Sequence, residues 1–405
     1  MVADFNVFCA LCSCCLGNGV EYGSTSPRHL AIRRGRVARR TYSRHMGEIF
    51  YETDDESEGE KESRLDAMPW LREAAEGDDG LDSVSIADAS CDYSYDPDVM
   101  IGWEFGWLDD LVALRAERRG MYEFIKCWYE DRNGSPTLPG DTMLIAKTDH
   151  EDPDEGSRHY AYGVSDLPDP PVFPMHKGCL EILSRAIFGV VDVDRINKTI
   201  LYSVMHGLSS FCHLKLDYGS ITGNDQDWLC IPGEEYTVIS PTDPINLAEQ
   251  IYTDYSTSVP EAETPLDLNA KVMRDPFKAL PYEMTHLILE YLPGESLLAL
   301  NKASWTIHTR TSNNPFWKQR LVRDMPWFWE LQAYLAESGD GIRDYKALYM
   351  WLDKRTIPMY AMSGPFMGVA NRRRIWGPCV ELAEYYNQRL RAEGSGDAGI
   401  SVFEE

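Results

Sequence analysis

The sequence predicts a mainly α protein with some β: a small helical module joined to a mixed globular domain and a helical C-terminal region, behind a disordered, acidic N-terminal tail. Three observations carry this expectation. Apolar residues recur at three- and four-residue steps from Met284 to Leu331. One short apolar run, Tyr236-Thr237-Val238-Ile239, reads as a strand within an aromatic-rich middle. Between residues 21 and 90, blocks of like charge leave too little apolar surface to bury.

Taken in order, residues 1–20 are a Cys-rich segment carrying Cys9, Cys12, Cys14 and Cys15. Residues 21–90 read as a charged tail with at most short helices, in which Arg33, Arg34, Arg36, Arg39 and Arg40 precede Asp54, Asp55, Glu56, Glu58 and Glu60. The arginine cluster is either a nuclear import signal or a partner for the acidic run. Residues 91–255 form the globular domain. Trp103, Phe105, Trp107, Leu108, Leu111, Val112 and Leu114 supply its densest apolar run; Met121–Trp128 reads as a helix, Asp149–Glu155 as a loop, His176–Ile187 as a helix and Thr199–Leu214 as helix or strand. Residues 256–274, rich in Ser, Thr, Pro and acid, read as a linker, 275–322 as the helical module, 323–393 as the helical C-terminal region and 394–405 as a flexible tail.

The module can be read residue by residue. Pro281 suits the first turn of a helix and Glu283 complements its positive end. Met284, Leu287, Ile288, Tyr291 and Leu292 build one apolar stripe, Pro293-Gly294 ends the helix, and Ser296 can cap the next. A third pattern runs from Ser304 to the turn at Ser312-Asn313-Asn314, and Pro315 restarts a helix with Phe316, Trp317 and Leu321. Some forty residues have too little interior for all these groups, so the stripe needs either a partner or the rest of the chain.

Leu280-Pro281, Leu292-Pro293, Leu297-x-x-Leu300, Ser304-Trp305 and Phe316-Trp317 in this order resemble an F-box. Phe173-Pro174-Met175-His176-Lys177-Gly178-Cys179 and Asn371-Arg372-Arg373-Arg374-Ile375-Trp376 are similar to segments that flank the box in a large group of fungal F-box proteins. The resemblance implies a Skp adaptor-binding module and, through the adaptor, a cullin. The chain is then the non-catalytic substrate-recognition subunit of an SCF-type ubiquitin ligase presenting a protein substrate. Adaptor contacts fall by resemblance on Leu280, Pro281, Met284, Leu287, Ile288, Leu292, Pro293, Leu297, Leu300, Ser304 and Trp317. A scaffold whose box works outside a ligase, or a nuclear zinc-binding protein, is the alternative.

Composition narrows the remaining chemistry. A formal charge of −26 over 405 residues repels nucleic acid and anionic membranes, and no run of eighteen apolar residues suggests a membrane span. Ten scattered cysteines suit a reducing cytoplasm or nucleus. No repeat of the leucine-rich, WD or kelch kind is visible. No catalytic residues are assigned, since His176 beside Cys179 is the one local base–thiol pair and reads as a core histidine. Cys9-x-x-Cys12 has the spacing of half a zinc site, which His176 and Cys179, three apart on one helical face, or Cys212-His213, can complete. The crowding of Cys14 and Cys15 against the first pair instead favours a frayed or merely packed terminus, and lipidation of a free cysteine is a further reading.

Overall fold

The structure is a computed structural model. It describes residues 7–17, 19–46, 93–116, 121–129, 143–147, 157–162, 170–210, 212–224, 228–255, 272, 274–337, 342 and 344–394. Helices dominate and a single antiparallel sheet supplies the β content among the described residues, so the chain is mainly α with some β. It divides into two compact units, Met1–Asp243 with Pro358–Glu405, and Pro244–Ile357.

The first unit holds five strands: β1 (Leu111–Ala116), β2 (Tyr122–Tyr129), β3 (Met143–Lys147), β4 (Ser157–Tyr160) and β5 (Phe173–His176), in the order β4-β3-β2-β1-β5. Every pairing is antiparallel, and Leu111 faces Cys127 on one side and His176 on the other. The helix expected at Met121–Trp128 is strand β2. Ile125 and Cys127 are buried while Lys126 between them is exposed, a two-residue period, and their neighbours are the strand-favouring Tyr122, Phe124 and Trp128. At the edge, all four residues of β5 are buried and lead directly into helix α2 (Lys177–Phe188).

Helix α1 (Pro27–Met46) replaces part of the expected charged tail. Arg33 is buried, donating to Ser94 Oγ at 3.1 Å and to the Ser24 carbonyl at 3.0 Å, and Arg34 pairs with Asp96 at 3.0 Å. Two of the five clustered arginines therefore hold the helix to residues 94–96 instead of standing free. The acidic run, the loop at 149–155, most of the 256–274 linker and nearly all of the 394–405 tail lie outside the described residues.

Helix α2 ends at Gly189, whose φ of 78° is the left-handed conformation that a helix terminus needs. Asn197 caps α3 (Lys198–Leu208), accepting from the Thr199 and Ile200 N–H groups. The strand expected at Tyr236–Ile239 is a 3-10 turn over Glu235–Val238. Thr237 Oγ1 donates to the Glu234 carbonyl at 2.7 Å and Glu235 accepts from Gly233 N–H at 2.8 Å, local bonds that favour a tight turn over extended chain. The long C-terminal helix, Met367–Gly394, packs on α2 and α3. Asn371 stitches it to the turn through the Thr237 and Ile239 carbonyls, at 2.9 and 2.7 Å.

The second unit contains α4 (Tyr282–Tyr291), α5 (Gly294–Ala303), α6 (Trp305–Arg310), α7 (Asn314–Asp324), α8 (Trp329–Glu337) and α9 (Tyr345–Thr356). Leu289, Leu297, Ile307, Trp317, Leu321, Phe328, Leu331, Leu348 and Leu352 are buried. Ser304, Asn313 and Asp344 cap α6, α7 and α9 with their side chains. Ser296 is not a cap: α5 already begins at Gly294, straight after Pro293. The expected 323–393 region does not stay together. Tyr255 OH donates to the Asp344 carbonyl at 2.9 Å and Arg355 pairs with Asp254 at 3.1 Å, drawing residues 251–255 and α9 into the second unit, while residues from 358 onward belong to the first.

Candidate metal centre and docking face

The N-terminal segment is a tight turn built into the first unit, not a frayed end. Phe8 bridges to Cys15, Cys9 N–H donates to the Cys14 carbonyl at 2.9 Å, and Ser13, at φ 56°, reverses the chain. Ala10 N–H reaches the Pro174 carbonyl at 2.8 Å, which sets the turn against β5. Three side chains hold its alternate carbonyls: Tyr162 at Phe8 (2.6 Å), Tyr218 at Ala10 (2.9 Å) and Arg374 at Cys12 (2.7 Å).

This arrangement gathers the four residues expected as ligands. Cys9 and Cys12 come from the turn, His176 ends β5, and Cys179 lies in the first turn of α2, whose positive end favours thiolates. All four are buried and their ligand atoms lie within 4.8 Å of one another. His176 Nδ1 is 3.3 Å from Cys12 Sγ and 3.9 Å from Cys179 Sγ. A tetrahedral zinc ion would separate such a sulfur and nitrogen by about 3.6 Å, between the two observed values.

The histidine is also oriented for metal. Its Nε2 lies 3.0 Å from the Cys15 carbonyl, which can only accept, so Nε2 carries the proton and the Nδ1 lone pair faces the thiols. His176 N–H donates to Cys9 Sγ at 3.4 Å, a further stabiliser of thiolate there. Burial works against the Cys9 thiolate, but the hydrogen bonds from Cys12 and Cys179 and the neighbouring His176 together hold this thiol well below its ordinary value. Burial pushes the Cys12 thiol up. Cys14 is not one of the four and reaches the Thr237 carbonyl at 3.2 Å, while Cys212 and His213 contact each other at 3.3 Å outside the cluster. Among the described residues the cluster is thus a buried group of three cysteines and one histidine that could hold a metal ion.

In the second unit, the stripe expected on α4 faces outward. Tyr282 is 51% exposed, Met284 49%, Leu287 49%, Ile288 36% and Tyr291 81%, whereas Thr285 and Leu289 are fully buried. Polar groups hold the inner side. Arg310 donates to the Leu280 carbonyl at 3.0 Å and to Thr285 Oγ1; Arg320 donates to the Leu289 and Leu292 carbonyls at 3.4 and 2.8 Å. Arg320 in turn pairs with Asp324 at 2.8 Å, which accepts from Tyr349 OH at 2.9 Å. A guanidinium beside the last carbonyls of a helix also complements its negative end.

The other expected contact residues divide. Pro281 and Pro293 are exposed, and Leu280, Leu292 and Leu300 are partly buried. Leu297, Ser304 and Trp317 are internal: Ser304 caps α6 and donates to Asp275 at 2.9 Å, and Trp317 Nε1 donates to the Thr311 carbonyl at 2.5 Å. Tyr282, Arg310 and Arg320 were not among the expected site residues; apolar periodicity has no means of flagging arginines that act on carbonyls.

No family model, no curated protein and no solved structure matches the chain.

Proposed function

We propose that the chain is the non-catalytic substrate-recognition subunit of an SCF-type ubiquitin ligase, docking on the Skp adaptor through α4 and presenting a protein substrate on its first unit. The observation that carries this reading is the outward row of Tyr282, Met284, Leu287, Ile288 and Tyr291 within the segment that resembles an F-box. Large apolar groups aligned on one helix are suited to a partner's groove. The polar clamp behind α4 supports it too, because a helix fixed on one side presents the other without reorganisation. Such a subunit works in the cytoplasm or nucleus.

The cysteine–histidine cluster takes zinc in this reading. Three soft thiolates and one imidazole form a closed set of four, the donor pattern of a structural zinc site with no open position for substrate. Zinc would fasten the N-terminal turn to β5 and α2, and so hold the substrate-presenting unit together.

Co-purification of the intact chain with Skp adaptor and cullin tests the ligase reading. Recovery of both is expected. Recovery of the adaptor without cullin would favour a scaffold outside a ligase, and recovery of neither would make α4 no docking element.

A further inference from the structure

We infer that Lys346 is a site of amine acylation that takes its acyl group from a small acyl thioester, a property that does not depend on the function proposed above. The residue lies in the first turn of α9, two positions after the capping residue Asp344. There the positive end of the helix works against an ammonium, whereas Lys354 and Arg355 stand in the last turn, where a cation is favoured. Lys346 is half-buried, neither sealed in the core nor fully hydrated.

The surroundings of the amine follow from the orientation of one buried amide. Thr311 Oγ1 donates to the Ile307 carbonyl at 2.8 Å, so it accepts from Asn301 Nδ2 at 2.6 Å. Asn301 Oδ1 is thereby turned toward Lys346 Nζ, at 2.6 Å, and His308 Nδ1, at 3.3 Å, and accepts from both. Trp305 stacks on the imidazole with ring centres 5.0 Å apart. Lys346 Nζ also stands 5.7 Å from the centre of the Trp317 ring, near the outer limit of a cation–π contact. Two groups able to carry positive charge thus share one neutral oxygen. Among the described residues no carboxylate forms an ion pair with either of them, and Asp344 attracts the ammonium without pairing with it.

A lysine so placed loses less by giving up its charge than an exposed one does. Burial lowers the pKa of the Lys346 ammonium and outweighs the attraction of Asp344, while burial and the Lys346 charge together lower that of His308. The free amine is a nucleophile, and desolvation is a recognised means of activating lysine. Its lone pair attacks the thioester carbonyl carbon, a C–N bond forms, the C–S bond breaks, and the thiol leaves with the proton that the amine gives up. The product suits the site better than the ammonium: an amide N–H still donates to Asn301 Oδ1, and the charge opposed by burial and by the helix is gone.

The test exposes the full chain at neutral pH to a limiting amount of acetyl-coenzyme A and follows acetylation of each lysine by peptide mass spectrometry. Lys354, exposed in the last turn of the same helix, is the internal reference. Lys346 should be acetylated roughly threefold faster than Lys354 or more, and any smaller ratio would overturn the inference. Asn301→Asp sets a carboxylate against Nζ, favours the ammonium and should cut that ratio by about half or more. A smaller fall, in a chain that circular dichroism shows to be folded, would also overturn it, since access and not the state of the amine would then select the site. Should Asn301→Asp not fold, the ratio in the wild-type chain decides alone.

Discussion

Replacing Leu287 and Ile288 together by alanine removes the middle of the outward face of α4 and leaves its inner side, Thr285 and Leu289, untouched. Complete burial of a leucine or isoleucine is worth about 1.5 to 3 kcal/mol. Leu287 is half exposed and Ile288 just over a third, so docking can bury only those fractions. The pair is then worth about 1.2 to 2.6 kcal/mol in binding, or roughly 7- to 70-fold in Kd. Stability should hardly change, because exposed atoms leave no cavity when truncated. Leu289→Ala is the opposite control: that side chain is fully buried, and its truncation should cost about 2 to 5 kcal/mol of the second unit's stability. Isothermal titration of purified chain with purified Skp adaptor, alongside circular dichroism, reads both effects. An unchanged Kd in a double variant with an unchanged spectrum would refute the claim that this face docks.

Three further outcomes follow from the same geometry. Arg320→Met removes the donors at the Leu289 and Leu292 carbonyls and the partner of Asp324, so chemical denaturation should show the second unit weakened by about 2 to 4 kcal/mol with zinc content unaltered; parallel weakening of zinc binding would contradict this. Glu235 is buried and desolvation raises its pKa from 4.5 to about 7. Its protonated form favours the fold, so that contribution is complete below pH 4.5, is lost as pH rises to about 7 and amounts to about 3 kcal/mol. With zinc saturating, thermal midpoints of Glu235→Gln should therefore gain on wild type across that window, and parallel curves would rule the effect out. Cys9→Ser, or acidification that protonates the ligand thiols, should release zinc and raise hydrogen exchange at Ala10 and Ser13, whose N–H groups bond Pro174 and Cys9; unchanged exchange would mean that metal does not hold the turn.

The helical module was legible because its signals are local. The four short helices fall where prolines and apolar steps place them, although the one cap expected, Ser296, is not used and Ser304 and Asn313, for which no cap was expected, cap the later helices. The orientation of α4 was less so. Periodicity finds Met284, Leu287, Ile288 and Tyr291 on one side but cannot say that Thr285 and Leu289, backed by two arginines, are the buried side. Strand β2 was misread for a related reason: its apolar residues pair with Ala113 and Leu114 of β1, and such long-range partners leave little mark in a short window. The four residues that could hold a metal ion were readable as two half-sites, Cys-x-x-Cys and His-x-x-Cys. Their meeting depends on the Ala10–Pro174 bond and on Tyr162, Tyr218 and Arg374 gripping carbonyls of the turn, none of which the spacing of the cysteines reveals. Arg33 and Arg34 were likewise read as tail charges, although Ser94 and Asp96, some sixty residues on, engage them.

The most direct test of the account is sedimentation of the intact chain mixed with purified Skp adaptor at micromolar concentrations of each. A single one-to-one complex, lost when Leu287 and Ile288 are both changed to aspartate, is the predicted result. Two species sedimenting independently with the wild-type chain would contradict it.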